Sequence, residues 1–284
     1  MTSHFPFKAA LIAACSIGFL LSAGEAKAQR YSGEEANKIF KGSTLVVIGE
    51  ESKIPTMVLM GETTDYKSKT FPELFDPLFK FGEDEKIREY KSTKDYIGFT
   101  HHHYHQYYKN VLVEGAEYLM HEKLGRIVSV NGLVFDYISL DTKPKITAKQ
   151  AVEFAQKDLK AKKYKWESPA EEARLRKMKK DSAATYYPEP ELVIACRNMD
   201  YKKKEFHLCY KLDLYADEPM SRHWYFVDAI TGEIIAKEDR INTATHGKPV
   251  NGGIRGNTPP PHPPGIRPET PAEEKKEEQK EVPK

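Results

Sequence analysis

Histidine and cysteine are the residue types in this chain best suited to chemistry, and their spacing says what they can do. The single His-Glu pair, His121-Glu122, is followed by Lys123, Leu124 and Gly125. A zinc peptidase of the HExxH kind needs two imidazoles one helical turn apart, so that both face one metal while the glutamate works on its water. Gly125 stands where the second imidazole is required, and the segment reads as a strand end entering a turn. A second cluster is His101, His102, His103 and His105. On a strand His101, His103 and His105 share one face, with His102 and Tyr104 on the other, so three imidazoles could in principle meet one cation. No cysteine or carboxylate anchors such a site. The plainer reading is a half-exposed strand face that charges below about pH 6.5. No Gly-rich phosphate loop, GxSxG or CxxC is present, and Asp228 with Glu233 flanks a hairpin turn where solvation accounts for both. No acid, base, nucleophile, metal ligand or cofactor site is nominated, and the expectation is a protein that is not an enzyme.

The elements around these residues read mainly as strands. Phe99–Tyr108 is rich in aromatic and strand-favouring residues, Lys109-Asn110 offers a turn, and Val111–His121 forms a second strand. Glu122–Gly125 gives another turn and Arg126–Val130 a third strand, with Asn131-Gly132 marking a turn or bulge before Leu133–Leu140. Upstream, Ser32 and Glu35 make a capping box for a short helix carrying Ala36, Ile39 and Phe40, followed by strands at Thr44–Ile48 and Ile54–Met60. Phe71–Gly82 is ambiguous between helix and turn. The charged run Glu83–Asp95 reads as a solvated helix face or loop.

A new unit starts at Ile146. Thr147 and Gln150 form a capping box for a helix whose Ala151, Val152, Ala155 and Leu159 recur at helical spacing. Ser168, Pro169 and Glu171 announce another helix, an exposed insertion in which Leu175 and Met178 are the buried positions. Strands return at Glu191–Arg197, Phe206–Tyr215, His223–Asp228 and Glu233–Lys237, the last two joined by a turn at Ala229–Gly232. The fold class is α+β: two small domains, each a curved antiparallel sheet with one or two packed helices. After Ile241 a Gly-, Asn- and Pro-rich stretch with TPPPHPPG at Thr258–Gly265 leads to a Lys/Glu-rich end, which is expected to be disordered.

Net charge is +2, with 44 basic and 42 acidic residues, which gives no electrostatic reason to expect nucleic acid or an anionic membrane as partner. Lys8, the apolar run Ala9–Ala23 and the small residues of Ala26-Lys27-Ala28 read as an export signal cleaved after Ala28. The run is too short for stable membrane insertion. Ile12–Cys15 has the form of a lipoprotein box, but it would strand Ile17–Leu21 behind the cleavage point. Soluble export, to the periplasm or outside the cell, is the expectation. It makes a Cys196–Cys209 disulfide permissible. One register of the two strands sets the cysteines opposite each other; a shift by one residue sends them to opposite faces.

His103-Tyr104-His105-Gln106-Tyr107-Tyr108 through Val113 and Gly115 resembles the fungalysin/thermolysin propeptide motif, roughly HxRxQQxYxGxPVxG. His103, Gln106, Tyr108, Val113 and Gly115 keep their places; His105, Tyr107, Asn110 and Leu112 depart from the pattern. The second unit is similar to a PepSY domain, above all at Trp224–Ile235, WYFVDAITGEII, where Asp228, Ala229 and Gly232 match. With the export signal at 1–28 and the tail at 242–284 read from residue pattern and composition, the resemblance implies a propeptide-like domain at 29–142 and a PepSY-like domain at 143–241. It further implies a partner, the catalytic domain of an exported thermolysin-like zinc metallopeptidase, whose folding such regions assist and whose activity they restrain. In such precursors the catalytic domain follows; here the Pro-rich tail does. A non-catalytic regulator acting in trans is therefore the leading expectation. A truncated precursor remnant and a secreted surface-binding module are the alternatives.

Overall fold

A computed structural model describes residues 28–67, 79 and 81–241. The expected export signal as far as Lys27, most of Phe71–Gly82 and the tail from Asn242 lie outside the described residues. The architecture is α+β. Strands β1 (Gln29–Ser32), β2 (Ser43–Ile48), β3 (Pro55–Met60), β4 (Glu85–Lys94), β5 (Phe99–Tyr108), β6 (Val111–Lys123) and β7 (Arg126–Leu133) make up the first half. In the second half come β8 (Lys163–Tyr164), β9 (Glu191–Cys196), β10 (Phe206–Glu218), β11 (Ser221–Asp228) and β12 (Ile234–Asp239). Helix α1 (Glu34–Ile39) follows β1; α2 (Ala148–Leu159) and α3 (Pro169–Lys179) precede β9.

The central meander forms as its turn chemistry requires. Lys109 and Asn110 both take positive φ and join Tyr108 to Val111, as do Leu124 and Gly125 between Lys123 and Arg126. Two successive positive-φ residues give a turn whose twist matches that of the strands it joins. Four other segments depart from expectation. The charged run is not a helix face but the edge strand β4, paired along β5 from Glu85↔Tyr108 to Lys94↔Thr100. Its charges protect an open edge and hide the strand from any apolar pattern. Asn131-Gly132 does not turn; it continues β7 to Leu133, after which Val134–Leu140 runs without a ladder. Ser32 lies in β1, and α1 is capped by Gly33 with no side-chain cap. In α3 Leu175 is buried, but Met178 is 67% exposed; the second inward residue is Glu172, which accepts from Arg176 and from the Tyr186 N–H.

The Thr147–Gln150 box caps α2 as expected: the Gln150 N–H donates to Thr147 Oγ1, and the Thr147 N–H donates to the Gln150 side chain. The helix buries Ala151, Val152 and Ala155 against Leu212, Leu214, Tyr225 and Val227 of the sheet. A second core gathers Ala36 and Val46 with Val58, Tyr118, Met120 and Val130. Both lie on one 12-stranded sheet, because β6 also pairs in parallel with β9 through Leu112↔Val193 and Val113↔Ile194.

Tyr118 illustrates how tightly the first core is tied. It is fully buried, and its phenol donates to the Pro55 carbonyl at 2.7 Å. Tyr118→Phe leaves that carbonyl without its donor, and the midpoint of urea unfolding is expected to fall by the equivalent of about 1–2 kcal/mol.

Candidate functional site

The residues singled out by the propeptide-like motif lie where β6 leaves β5 for β9. Next to the turn β5 and β6 pair as Tyr108↔Val111 and Tyr107↔Leu112; farther along they pair as His105↔Glu117. Val113–Ala116 therefore all lie opposite Gln106, a bulge that bends β6 and frees its other edge for β9. Gly115 sits in this bulge at φ +73°, and a Cβ there would stand 2.1 Å from the Tyr201 hydroxyl. That hydroxyl donates to the Glu114 carbonyl at 2.9 Å, and Lys211 Nζ donates to the Glu114 side chain at 2.6 Å. The bulge is thus held by residues from β10 and from the turn before it.

Gln106 has 0% exposure and uses both ends of its amide. Its Nε2 donates to the Phe135 carbonyl at 2.7 Å, and its Oε1 accepts from the Phe135 N–H at 2.8 Å. It gives the unladdered segment after β7 the two hydrogen bonds a neighbouring strand would otherwise supply. Tyr108 and Val113 are buried in the same core as Phe135 and Ile194.

Asp228, Ala229 and Gly232 also have architectural roles. The Asp228 carboxylate accepts from the Ile230 and Thr231 N–H groups at 2.7 and 2.9 Å and contacts His207 Nδ1 at 2.9 Å. Burial works against its charge, but those hydrogen bonds outweigh it and leave the carboxyl below its usual range. The Ala229 carbonyl accepts from Lys145 and Ile146, joining the turn to the start of the second half. Gly232 takes φ +79° with the Phe154 ring packed where a Cβ would stand.

His103 belongs to a different setting, on the opposite face of β5 from Tyr104, Gln106 and Tyr108. Its Nδ1 contacts Glu117 Oε1 at 2.8 Å, and Tyr90 donates to the same oxygen at 2.6 Å. Tyr90 reaches this face because β4 bulges between Glu89 and Lys91, and its ring stacks on His105 at 3.7 Å. Burial opposes the Glu117 charge; Tyr90 and His103 outweigh it and lower the Glu117 pKa. Burial lowers that of His105. His102 faces the other way, between Glu89 at 3.0 Å and Glu122 at 3.3 Å. The imidazoles thus have carboxylate neighbours that sequence spacing did not reveal, brought from β4 and β6. Among the described residues, no group of three or more His, Cys, Asp or Glu side chains is arranged to hold a metal ion.

The cysteines do not meet. Cys196 pairs with Phe206 and Cys209 with Val193, so their side chains leave opposite faces of the sheet, and both thiols are free and buried. Burial pushes the Cys196 thiol up to about 12 and raises that of Cys209 too. Both are expected to resist a thiol reagent such as DTNB at pH 8 until denaturant is added, when two thiols per chain at these positions should react; a bridged pair would release none.

Residues 85–134 match the fungalysin/thermolysin propeptide motif. The match spans β4 to β7 and includes Gln106, the bulge of β6 and the histidine face. The chain therefore carries a region like a fungalysin/thermolysin propeptide, a motif of propeptides and not of catalytic domains. Among solved structures, the Bacillus megaterium YpeB C-terminal domain is similar over 69% of this chain and 76% of its own, at 14% identity and a TM-score of 0.33. At that score the two folds are not shown to be shared. No helix among the described residues is long and apolar enough to cross a membrane.

Proposed function

We propose that this chain is a non-catalytic, pro-region-like protein that binds the catalytic domain of an exported thermolysin-like zinc metallopeptidase in trans, inhibiting it, assisting its folding, or both. The propeptide motif match over residues 85–134 carries this reading. In it, the unit 29–142 and the PepSY-like unit 143–241 act as one binding body, since β6 and β9 pair across them. Export by a signal cleaved after Ala28 places the protein in the periplasm or outside the cell, where such a protease works. The work is done by surface: an inhibitor must bind the folded protease, and a folding assistant must bind the transition toward it.

Refolding tests the assisting role. A denatured thermolysin-like catalytic domain, diluted into buffer with equimolar chain, is expected to recover several-fold more activity than without it. Equal recovery, together with an unaffected mature protease, would refute the proposal.

A further inference from the structure

One pair of imidazoles in the histidine face lies outside the motif contacts. His101 on β5 is directly opposite His121 on β6, and their Nδ1 atoms face each other at 2.7 Å. Their far nitrogens are also engaged: His101 Nε2 contacts Asp95 Oδ2 at 3.2 Å, and His121 Nε2 contacts the Asn131 side-chain amide at 2.6 Å. Asp95 is fixed in turn by the N–H groups of Ile97 and Phe99. His121 is 6% exposed, so neither ring position is set by solvent alone.

An N···N contact of 2.7 Å holds one proton, donated by one ring and accepted by the other. If the Asn131 amide nitrogen donates to His121, the pair is neutral; if its oxygen accepts, the pair carries one positive charge. In both states the gap holds a single proton. Two imidazolium rings would each place an N–H in that gap, and the hydrogens cannot both fit. We propose that His101 and His121 form a proton-limited latch: mild acid supplies the second proton, the rings separate, and the adjoining end of the β5–β6–β7 ladder loosens. This inference is independent of any protease partner.

The groups facing the pair favour this direction. The β4–β5 turn supplies Asp95, β4 places Thr93 opposite His101, and β7 supplies Ser129 and Asn131. On β5 itself His103 is the nearest cation-former, engaged by Glu117, and on β6 Lys123 lies over the Phe99 ring at 4.7 Å. One carboxylate, Asp95, therefore touches a pair that can carry two charges. Burial lowers the His121 pKa first, His101 and His103 lower it further, and Asn131 and Asp95 offset this in part. A folded-state pKa below the open-state value of about 6.5 means that stability is full above that pH and is lost as pH falls below it. Each extra proton bound by the open state favours opening tenfold per pH unit.

The test uses the full chain labelled with 15N-histidine. At pH 7.5 a through-hydrogen-bond coupling between the two Nδ1 nuclei is expected, and it should weaken as pH falls below about 6.5. Below about pH 6.5, amide protection at Phe99–His103 and Leu119–Lys123 should fall by up to about tenfold per pH unit for each extra proton bound, relative to that in β10 and β11. In the His101→Gln/His121→Gln variant the extra fall should vanish. If that variant does not fold, the coupling and the regional protection in the unsubstituted chain decide alone. Absence of the coupling at pH 7.5, or a uniform loss of protection across all strands, would overturn the proposal.

Discussion

Gly132→Ala is expected to cost the fold about 3 kcal/mol or more, a large share of the about 5–15 kcal/mol that ordinarily holds a domain folded. Gly132 lies in β7 opposite Tyr118 at φ +149°, and a Cβ there would stand 2.1 Å from the Glu117 carbonyl oxygen and 2.7 Å from the Tyr118 Cα. Both are backbone atoms of the neighbouring strand, so no rotamer change relieves the overlap. The strands must separate where β6 leaves its bulge and joins β7. Urea unfolding followed by circular dichroism reads this directly. Gly125→Ala is the control for backbone strain alone, because it also replaces a positive-φ glycine but has open space around it, and its loss should be about 1 kcal/mol.

Gln106→Ala is the second large effect, with an expected loss of about 4 kcal/mol. The substitution strips hydrogen bonds from the Phe135 N–H and carbonyl in a buried setting, and each unsatisfied group costs about 1–3 kcal/mol. Gln106→Met separates this from the cavity left by alanine: it fills similar volume without hydrogen bonding, and it should retain most of the loss. If methionine restores wild-type stability, packing rather than the paired hydrogen bonds anchors Val134–Leu140.

Local physics made much of the fold legible. Alternation and two-residue turns gave the β5–β6–β7 meander, the Thr147–Gln150 box began α2, and the Asp228–Gly232 turn closed β11 onto β12. Strand β4 stayed hidden because its register is set by β5, while its own residues carry no apolar stripe apart from Ile87. The β6–β9 joint stayed hidden because two segments about 80 residues apart pair there in parallel, and neither carries a local mark of its partner.

The histidine pair shows most clearly why spacing was not enough. Extending the register from the Lys109-Asn110 turn would set Tyr118, not His121, opposite His101. The bulge at Val113–Ala116 slides the register by an odd number of residues, exchanging which residues of β6 share the histidine face. The cue was Gly115, whose positive φ the bulge needs; an isolated glycine in a strand pattern signals such a break. Register also decides the Cys196–Cys209 question that the sequence left open, since a single step sends the two side chains through opposite faces. Most motif positions proved to be parts of a seam: Gln106, Val113 and Gly115 shape the junction of β5, β6 and β9, and Asp228, Ala229 and Gly232 close the second half. His103 is the exception, lying on the open face with Glu117 and Tyr90.

The most direct test of the proposed role is an activity titration. Initial rates of peptide cleavage by a mature thermolysin-like zinc endopeptidase should fall with added chain and saturate near one chain per enzyme, and the same titration with a serine protease should show no loss. Unchanged rates into the micromolar range, together with unchanged refolding yield of the protease, would contradict the account.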